Sequence, residues 1–217
     1  MLLDPEIWQI TALSLQVSAI ATGVSLLIGL PFGTWLALGN IRGRSLIQSI
    51  VNTGMALPPV VVGLVVAMML WRSGPLGDFR LIYTPVAIII AQTVISAPVV
   101  TGLTAAALAA LDPRLQQQLL GLGASRRQMI WYLWREARLP LLAALMAGFG
   151  SVISEVGASM MVGGNIRHQT RVLTTAIVLE TNKGEFRTAL ALGILLLLIT
   201  FLINFALTRI QQKDVRK

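Results

Sequence analysis

The sequence predicts an all-α, polytopic helical membrane protein with about five transmembrane helices. Its composition is 55% hydrophobic and its mean hydropathy is +0.77. Only 12% of its 217 residues are charged, whereas a soluble domain carries about 25%. The charged residues also lie at the ends of long apolar blocks. Since about 30 Å of hydrocarbon requires roughly 20 helical residues, each block is long enough to cross once.

Four of these blocks contain no charged residue, and a fifth contains one. They are Ile7–Ile41, Ser45–Trp71, Leu81–Leu111 and Thr188–Thr208, together with Leu139–Ile166, where only Glu155 is charged. We expect spans over about Trp8–Leu38, Leu46–Trp71, Ile82–Leu111, Pro140–Val162 and Glu185–Ile210. Residues 1–217 then form a single transmembrane domain, without an internal repeat or a soluble domain.

Prolines predict irregular backbone in the first two spans. Pro31 favours a kink late in the first span. Pro58 and Pro59 remove two adjacent amide donors, so the second span must bend or break at mid-membrane. Irregular backbone at that depth requires other helices or a water-lined cavity to satisfy its carbonyls. The break is therefore either a packing kink or part of a pathway.

The later spans differ in their polar content. The third span contains the polar run Gln92, Thr93 and Ser96, and the fourth is rich in small residues that allow close helix approach. A helical patch at Val172–Leu179 is too short to cross, so we expect it to lie at the interface or to re-enter the membrane.

The net charge of +8 does not indicate a nucleic-acid partner, because Lys and Arg flank the apolar blocks as membrane anchors do. Five spans place the termini on opposite sides. With the C-terminus inside, 11 Lys and Arg lie inside and 6 outside, which predicts N-out, C-in. The inside count includes Lys213, Arg216 and Lys217. The N-terminal tail carries Asp4 and Glu6 but no basic region, so we expect no cleaved signal peptide.

Several chemistries are excluded by missing residue types. The chain has no cysteine, so it has neither disulfides nor thiolate metal sites. A lone His168 without neighbouring ligands predicts no metal site. There is no P-loop, HExxH or GxSxG motif. We therefore expect no cofactor, and any ATP must be bound by another subunit.

Glu155 is the only ionisable side chain well inside a predicted span, where an unpaired carboxylate costs several kcal/mol. Either it lies on a translocation route or gate, with Ser159 on the same small-residue span, or it is satisfied by an arginine or by a neighbouring helix end.

A basic group follows the fourth span. Asn165, Arg167 and Arg171, with His168 between them, suit an oxyanion arriving from outside. The other interpretation is ordinary anchoring at the membrane surface.

The most distinctive segment is polar and basic, covering Asp112–Leu139. Pro113 is favourable at the first turn of a helix, Gly123 can end that helix in the left-handed conformation, and Ser125 can cap a second helix over Arg126–Arg138. This predicts a helix–glycine–helix elbow that protrudes into the cytoplasm. It suits docking onto a soluble partner, although an amphipathic helix lying on anionic lipid is the alternative.

The elbow sequence LQQQLLGLGAS resembles the cytoplasmic coupling loop of ABC importer permeases. Their general pattern is Glu-Ala-Ala, three residues, Gly, nine residues, Ile-x-Leu-Pro. With the glycine at Gly123, that pattern falls on Gln117, Gln118 and Leu119, so the Glu and the Ala pair are absent here. Pro140 closes the motif 17 residues after Gly123 rather than 13, which adds about one helical turn. The resemblance implies that the coupling residues are Gln117, Gln118, Leu119, Gly121, Gly123, Ala124 and Ser125.

The resemblance extends along nearly the whole chain. MALPPVVVGLVV (Met55–Val66) and SGPLG (Ser73–Gly77) are similar to the molybdate/tungstate/sulfate permease group. EVGASMMVGGNIRHQTRVLTTAIVLETNKGEF (Glu155–Phe186) is similar to tungstate permeases in particular. The family implies a homodimer of type I ABC importer permease subunits in the prokaryotic inner membrane. It also implies cytoplasmic ATPase subunits and an extracytoplasmic oxyanion-binding protein.

These observations predict a non-enzymatic permease subunit that carries tungstate, or molybdate, into the cytoplasm. Pro58, Pro59, Glu155 and Ser159 are candidates for the pathway or its gate, and Asn165, Arg167 and Arg171 for the outer vestibule. Two other functions stay open: an intramembrane hydrolase using Ser151, Ser154 or His168, and a non-transporting scaffold subunit.

Overall fold

The computed structural model describes residues 5–40 and 42–215, and side chains as far as residue 212. All regular structure in these ranges is helical, as predicted. The helices are α1 (Pro5–Leu38), α2 (Arg44–Met55), α3 (Pro59–Leu70), α4 (Pro85–Ala109), α5 (Pro113–Gly121), α6 (Arg126–Glu136), α7 (Arg138–Ile153), α8 (Gly157–Gly163), α9 (Leu173–Asn182) and α10 (Phe186–Val215), with one 3-10 turn at Gly77–Phe79.

Helices α1 and α4 pack against each other and form the centre of the bundle. Their contact buries small and hydroxyl-bearing side chains, among them Ser18 and Ser25 of α1 and Thr104 of α4. Small side chains let two helix backbones approach closely. Such close packing is common in membrane proteins, because the hydrophobic effect does not drive helices together within lipid. The pair is the frame on which the shorter helices lie.

The main core lies where α3 and α8 meet this frame. Val62 and Val66 of α3, Ile88 of α4 and Val162 of α8 belong to one buried cluster, which also contains Val17 of α1. The two short helices are therefore held against the frame and against each other by apolar packing.

Helix α10 lies at the periphery. Only 6% of its most apolar window is buried, and most of its contacts are with α9 and α7. Leu192 of α10 joins Ile10 of α1 and Leu173 of α9 in a second apolar cluster. A Leu-rich helix that buries so little of its surface is suited to facing lipid.

The described residues contain three helices long and apolar enough to cross a membrane, α1, α4 and α10. Two bent pairs raise the number to as many as five if each pair is one span: α2 with α3, at 96°, and α6 with α7, at 74°. The predicted break at Pro58–Pro59 is confirmed, since α2 ends at Met55 and α3 begins at Pro59. Helix α1 continues through Pro31 as a single helix.

Two predicted helix boundaries were wrong. The fourth span was expected to be continuous over Pro140–Val162, but α7 ends at Ile153 and α8 begins at Gly157. The second elbow helix was expected to reach Arg138 but ends at Glu136. Pro140 accounts for that ending, because a proline ring clashes with the carbonyl four residues earlier, at Glu136. The side chains of Lys213, Arg216 and Lys217, which were used in the charge count, lie outside the described residues, as does Asp4.

Candidate functional site

The elbow between α5 and α6 has the local structure that its sequence predicts. Asp112 caps α5, its carboxylate accepting from Arg114 N at 2.8 Å, and Pro113 is the first residue of that helix. Gly123 has φ +78°. Its N–H donates to Leu120 O at 3.0 Å, and Ala124 N donates to Leu119 O at 3.0 Å. This pair of bonds is a Schellman motif, which ends a helix by a left-handed residue.

A capping box begins the second arm of the elbow. The Ser125 hydroxyl accepts from Gln128 N at 3.4 Å, and the Gln128 side-chain oxygen accepts from Ser125 N at 2.8 Å. These bonds satisfy the backbone N–H groups of Ser125 and Gln128, which would otherwise have no partner at the start of the helix. With both arms capped, the turn between them is defined by local hydrogen bonds rather than by packing.

The tip of the elbow is exposed. Helix α5 has no buried residue, and Leu122 at the turn is 85% exposed. Gly123 has no atom within 4 Å of the position that a Cβ would occupy. The tip therefore offers an apolar side chain and an open turn to a partner outside the bundle.

Helix α6 anchors the elbow to the bundle. Met129 and Leu133 are buried in a cluster with Leu108 of α4. Trp134 Nε1 donates to Thr34 Oγ1 of α1 at 2.9 Å. The elbow is therefore joined to the ends of α1 and α4 by these contacts, and to α7 through the 74° corner.

The two broken spans meet each other. A Cβ on Gly63 of α3 would lie 2.6 Å from Ala158 Cα of α8, and a Cβ on Gly157 would lie 2.7 Å from Val60 Cγ2. Only glycine allows this separation, because real Cβ contacts are longer. The segments that follow Pro58 and Glu155 are thus in close backbone contact, so these two predicted pathway residues lie in adjoining elements.

Glu155 is satisfied by a helix end rather than by an arginine. It is 7% exposed, and its Oε1 accepts from Ala158 N at 2.9 Å, in the first turn of α8. The hydroxyl of Thr174, on α9, donates to the Glu155 carbonyl oxygen at 2.8 Å. A carboxylate that caps a helix start also interacts favourably with the helix dipole. Of the interpretations offered for Glu155, the structure shows the one in which a neighbouring helix end satisfies the carboxylate. The Glu155 backbone lies in the break itself.

Gln92 of α4 also forms hydrogen bonds with residues on both sides of this break. Its Nε2 donates to Val152 O at 3.1 Å, near the end of α7, and to Ser159 Oγ at 3.5 Å, in α8. One glutamine thus bonds both halves of the broken helix. The sequence drew attention to Gln92 only as part of a polar run; the pairing joins residues 60 and 67 apart, which no local pattern reveals.

The predicted vestibule residues lie together and bind the start of α1. Arg167 donates to the carboxylate of Glu6 from Nε at 2.9 Å and also from its Nη2. Arg171 donates from Nη1 to Glu6 Oε1 at 3.2 Å and from Nε to Asn165 Oδ1 at 3.3 Å. Glu6 therefore partly neutralises the basic group, which the sequence did not anticipate.

A cavity of about 280 Å³ opens beside this cluster, between Glu6, Gln9, His168, Gln169 and Arg171. Its wall combines one carboxylate, an arginine and amide side chains with the apolar side chains of Ile10 and Leu13. His168 Nδ1 lies 2.9 Å from Gln9 Oε1.

The described residues give no support to a hydrolase or a metal site. Ser151 and Ser154 donate to backbone carbonyls, of Gly148 at 2.8 Å and Gly150 at 2.7 Å, whereas the His168 ring contacts Gln9. A serine nucleophile needs its base at hydrogen-bond distance. No group of three or more His, Cys, Asp or Glu in the described part of the chain could hold a metal ion.

Comparison with known proteins agrees with this arrangement. The model of the family described as "Binding-protein-dependent transport system inner membrane component" matches residues 29–217. A probable anion ABC transporter permease protein of Haloferax volcanii is 40% identical over 200 residues, covering 90% of this chain and 86% of that one. The tungstate uptake system permease protein of Peptoclostridium acidaminophilum is 39% identical over 210 residues, covering 97% and 92%.

The fold also matches solved structures. A chain of the MetNI methionine ABC transporter, in inward-facing conformations, superposes with a TM-score of 0.74 at 22% identity, covering 95% of this chain and 93% of that one. The helical elbow, the broken spans and these similarities have one explanation. The chain belongs to the family of inner membrane components of binding-protein-dependent transport systems.

Proposed function

We propose that this permease subunit imports a tetrahedral oxyanion, tungstate first and molybdate second, in an ATP-driven transporter. The observation that carries the transport role is the elbow, a capped and exposed turn anchored to the bundle by α6. The substrate is supported by the two relatives, a probable anion transporter permease and a tungstate uptake permease. It is also supported by the tungstate-permease resemblance of Glu155–Phe186.

The proposed assembly contains two copies of this chain, cytoplasmic ATPase subunits, an extracytoplasmic oxyanion-binding protein and the surrounding lipid. Residues 1–217 act as one transmembrane permease domain, and residues 112–139 form its coupling segment. The sequence has no Walker motif, so ATP hydrolysis is assigned to the separate subunits and this chain carries no catalytic residue.

We place the N-terminus outside and the C-terminus inside. The excess of inside cations, 11 against 6, supports this orientation. It puts the elbow on the cytoplasmic side, where ATPase subunits are found, and the Glu6–Arg167–Arg171 cluster on the outside, where the binding protein delivers its ligand.

Coupling follows from the way the elbow is held. Closure of the ATPases would push on Gln117, Gln118, Leu119, Gly121, Gly123, Ala124 and Ser125. Since these residues lie on or beside a rigid capped turn, the push is carried by α6 rather than absorbed locally. The Trp134–Thr34 hydrogen bond and the packing of Leu133 pass it to the frame.

The gate is assigned to the two broken spans, with Pro58, Pro59, Glu155 and Ser159 as its residues. Helices α3 and α8 pack together so closely at Gly63 and Ala158 that they would move as a unit. The breaks before each helix supply hinges, because irregular backbone absorbs a rotation that a continuous helix resists. Asn165, Arg167 and Arg171 would form an outer vestibule, whose two arginines and one carboxylate leave it net positive for an oxyanion.

Replacing Gly123 with leucine tests the coupling role. A leucine in the left-handed conformation costs about 1–2 kcal/mol and places a bulky side chain at the exposed turn. In the reconstituted complex, we expect binding-protein-stimulated ATPase activity to fall to the unstimulated level. The measurement is ATP hydrolysis with and without loaded binding protein.

Gly43→Leu is a matched control. Gly43 has φ +80° and no atom within 4 Å of a Cβ, as Gly123 does, but it lies at the start of α2, on the same side of the membrane as the elbow and away from the binding protein. The control should keep its stimulation. Full stimulation of Gly123→Leu would exclude the elbow as the coupling element.

The substrate is tested separately, by uptake of radiolabelled tungstate into vesicles with molybdate and sulfate as competitors. Uptake of sulfate in preference to both would contradict the assignment.

A further inference from the structure

We propose that one face of α6 binds the headgroups of anionic phospholipids. This face is formed by Arg127, Trp131 and Arg135, which we call the Arg–Trp row. Successive residues of the row are four positions apart, so their side chains lie along one side of the helix. The proposed function enters only through the orientation of the chain, which determines which leaflet the row contacts. With the C-terminus inside, that leaflet is the inner one.

The depth of α6 follows from its contacts. Leu133 packs with Leu108, one residue before the end of α4, and Trp134 donates to Thr34, four residues before the end of α1. Helix α4 has 25 residues and is about 37 Å long. That length exceeds the hydrocarbon core of about 30 Å but not the bilayer with its headgroups, about 40–45 Å. The end of α4, and α6 beside it, therefore lie at headgroup level.

The direction of α6 is set by the corner at Ala137. Helices α6 and α7 meet at 74°. Because α7 runs into the bundle beside α1 and α4, α6 turns toward the membrane plane. Its buried residues, Met129 and Leu133, face the bundle. The Arg–Trp row is on the opposite side of the helix and points away from the protein.

The row has the side chains that a headgroup layer favours. Trp131 is 64% exposed and the adjacent Tyr132 is 50% exposed, and both residue types are enriched at membrane interfaces because they have an apolar ring with a polar edge. Arg127 and Arg135 are exposed, and neither forms an ion pair within the part of the chain that the structure describes. A guanidinium binds phosphate oxygens through two parallel hydrogen bonds.

Charge and position favour lipid over the ATPase as the partner of this row. The elbow tip offers exposed leucines, Leu120 and Leu122, which suit an apolar groove in a protein. The row instead places cations on both sides of an indole at the level of the phosphates. Attraction to an anionic leaflet adds about 1 kcal/mol for each such cation.

Brominated lipids test the proposal in the full-length chain. The chain is placed in phosphatidylcholine vesicles containing increasing amounts of brominated phosphatidylglycerol, and tryptophan fluorescence is recorded. The signal of Trp131 is the difference between the native chain and Trp131→Phe. We expect this signal to be quenched in a saturable manner at low phosphatidylglycerol content, and brominated phosphatidylcholine to be much less effective.

The double variant Arg127→Gln, Arg135→Gln should lower the preference for phosphatidylglycerol about 30-fold, from about 1 kcal/mol per arginine. The matched control is Arg42→Gln, Arg44→Gln, which removes two exposed arginines from the turn between α1 and α2 and should retain the preference. Equal melting temperatures of the two double variants establish that both are folded.

Three results would overturn the proposal. The first is equal quenching of Trp131 by both brominated lipids, and the second is an unchanged preference in the Arg127, Arg135 double variant. The third is a Trp131 that neither lipid quenches but that added ATPase subunits shield from an aqueous quencher, which would make the row a protein contact. These measurements need neither ATP nor an oxyanion, so they remain readable if the transport proposal fails.

Discussion

The elbow and the break between α7 and α8 are both interruptions of helical structure, yet they are built in opposite ways. At the elbow, Gly123 and Ser125 form their stabilising bonds with residues no more than five positions away. At the break, Gln92 and Thr174 reach Val152 and Glu155 from other helices. The elbow tip is exposed, whereas Val152, Glu155 and Ser159 at the break are buried.

This difference has a mechanical consequence. A locally bonded turn keeps its shape while the rest of the protein moves, which is what a part that receives a push requires. A break held by neighbouring helices changes when those helices move, because its bonds depend on their positions. The elbow is therefore suited to transmit a displacement, and the break to respond to one.

The largest effect that separates the two regions is expected from Gly63→Ala. The new Cβ would lie 2.6 Å from Ala158 Cα, so α3 and α8 must move apart. Overpacking of this kind lowers the free energy of unfolding by about 1–3 kcal/mol, measurable by denaturation of the purified chain in detergent. Gly193→Ala, in α10 with nothing within 4 Å, should raise the free energy of unfolding by about 0.5–1 kcal/mol. Equal stability of both variants would contradict the close α3–α8 contact.

A smaller effect is expected from Gln92→Leu. The substitution removes the side-chain donor of the Val152 carbonyl, which keeps the Glu155 N–H as a donor at 3.2 Å, so we expect a loss of about 1 kcal/mol, the net value of one hydrogen bond. Amide hydrogen exchange should rise over Ser154–Ala158 and stay unchanged at the elbow. Gln16→Leu, at an exposed position of α1, serves as control and should change stability by less than about 0.5 kcal/mol. Faster exchange at the elbow in Gln92→Leu would mean that the two regions are not independent.

The smallest effect is expected from Ser125→Ala, which removes one bond of the capping box. Loss of a cap costs about 1 kcal/mol, or roughly a fivefold increase in exchange at the Gln128 amide. The effect should be confined to the start of α6 and leave the break as it was. Ser49→Ala, at an exposed position inside α2, should leave both regions unchanged. An unaltered exchange rate at Gln128 would show that Ser125 is not the cap.

The contrast also explains which features the sequence predicts. Asp112, Pro113, Gly123 and Ser125 act through their own neighbours, so their residue types alone indicate the elbow. Pro58 and Pro59 likewise interrupt a helix by their own covalent structure. The roles of Pro113, Gly123, Ser125 and the Pro58–Pro59 pair were predicted and are confirmed, because the physical cause lies within a few residues of the effect. The Asp112 cap was not predicted, although the same local rule applies to it.

The break at Glu155 was missed because its cause is distant. Nothing within Ile153–Gly157 forbids a continuous helix in the way that a proline does. The interruption is stabilised by Gln92 and Thr174, 60 and 19 residues from their partners, and such pairings appear only when the chain is folded. The pairing of Glu6 with Arg167 was missed for the same reason. The end of α6 at Glu136, two residues before the predicted Arg138, follows from Pro140 and was therefore predictable.

The ion pair between Glu6 and Arg167 has a consequence for how the chain is assembled during translation. Its partners are 161 residues apart, and the Leu173 N–H, which donates to Ser14 Oγ at 2.7 Å, is 159 residues from it. At about 5–20 residues per second, the first helix must wait roughly 8–30 s for these partners to emerge from the ribosome. Until then the start of α1 has neither partner, and α1 is held by its packing against α4, whose residues emerge earlier.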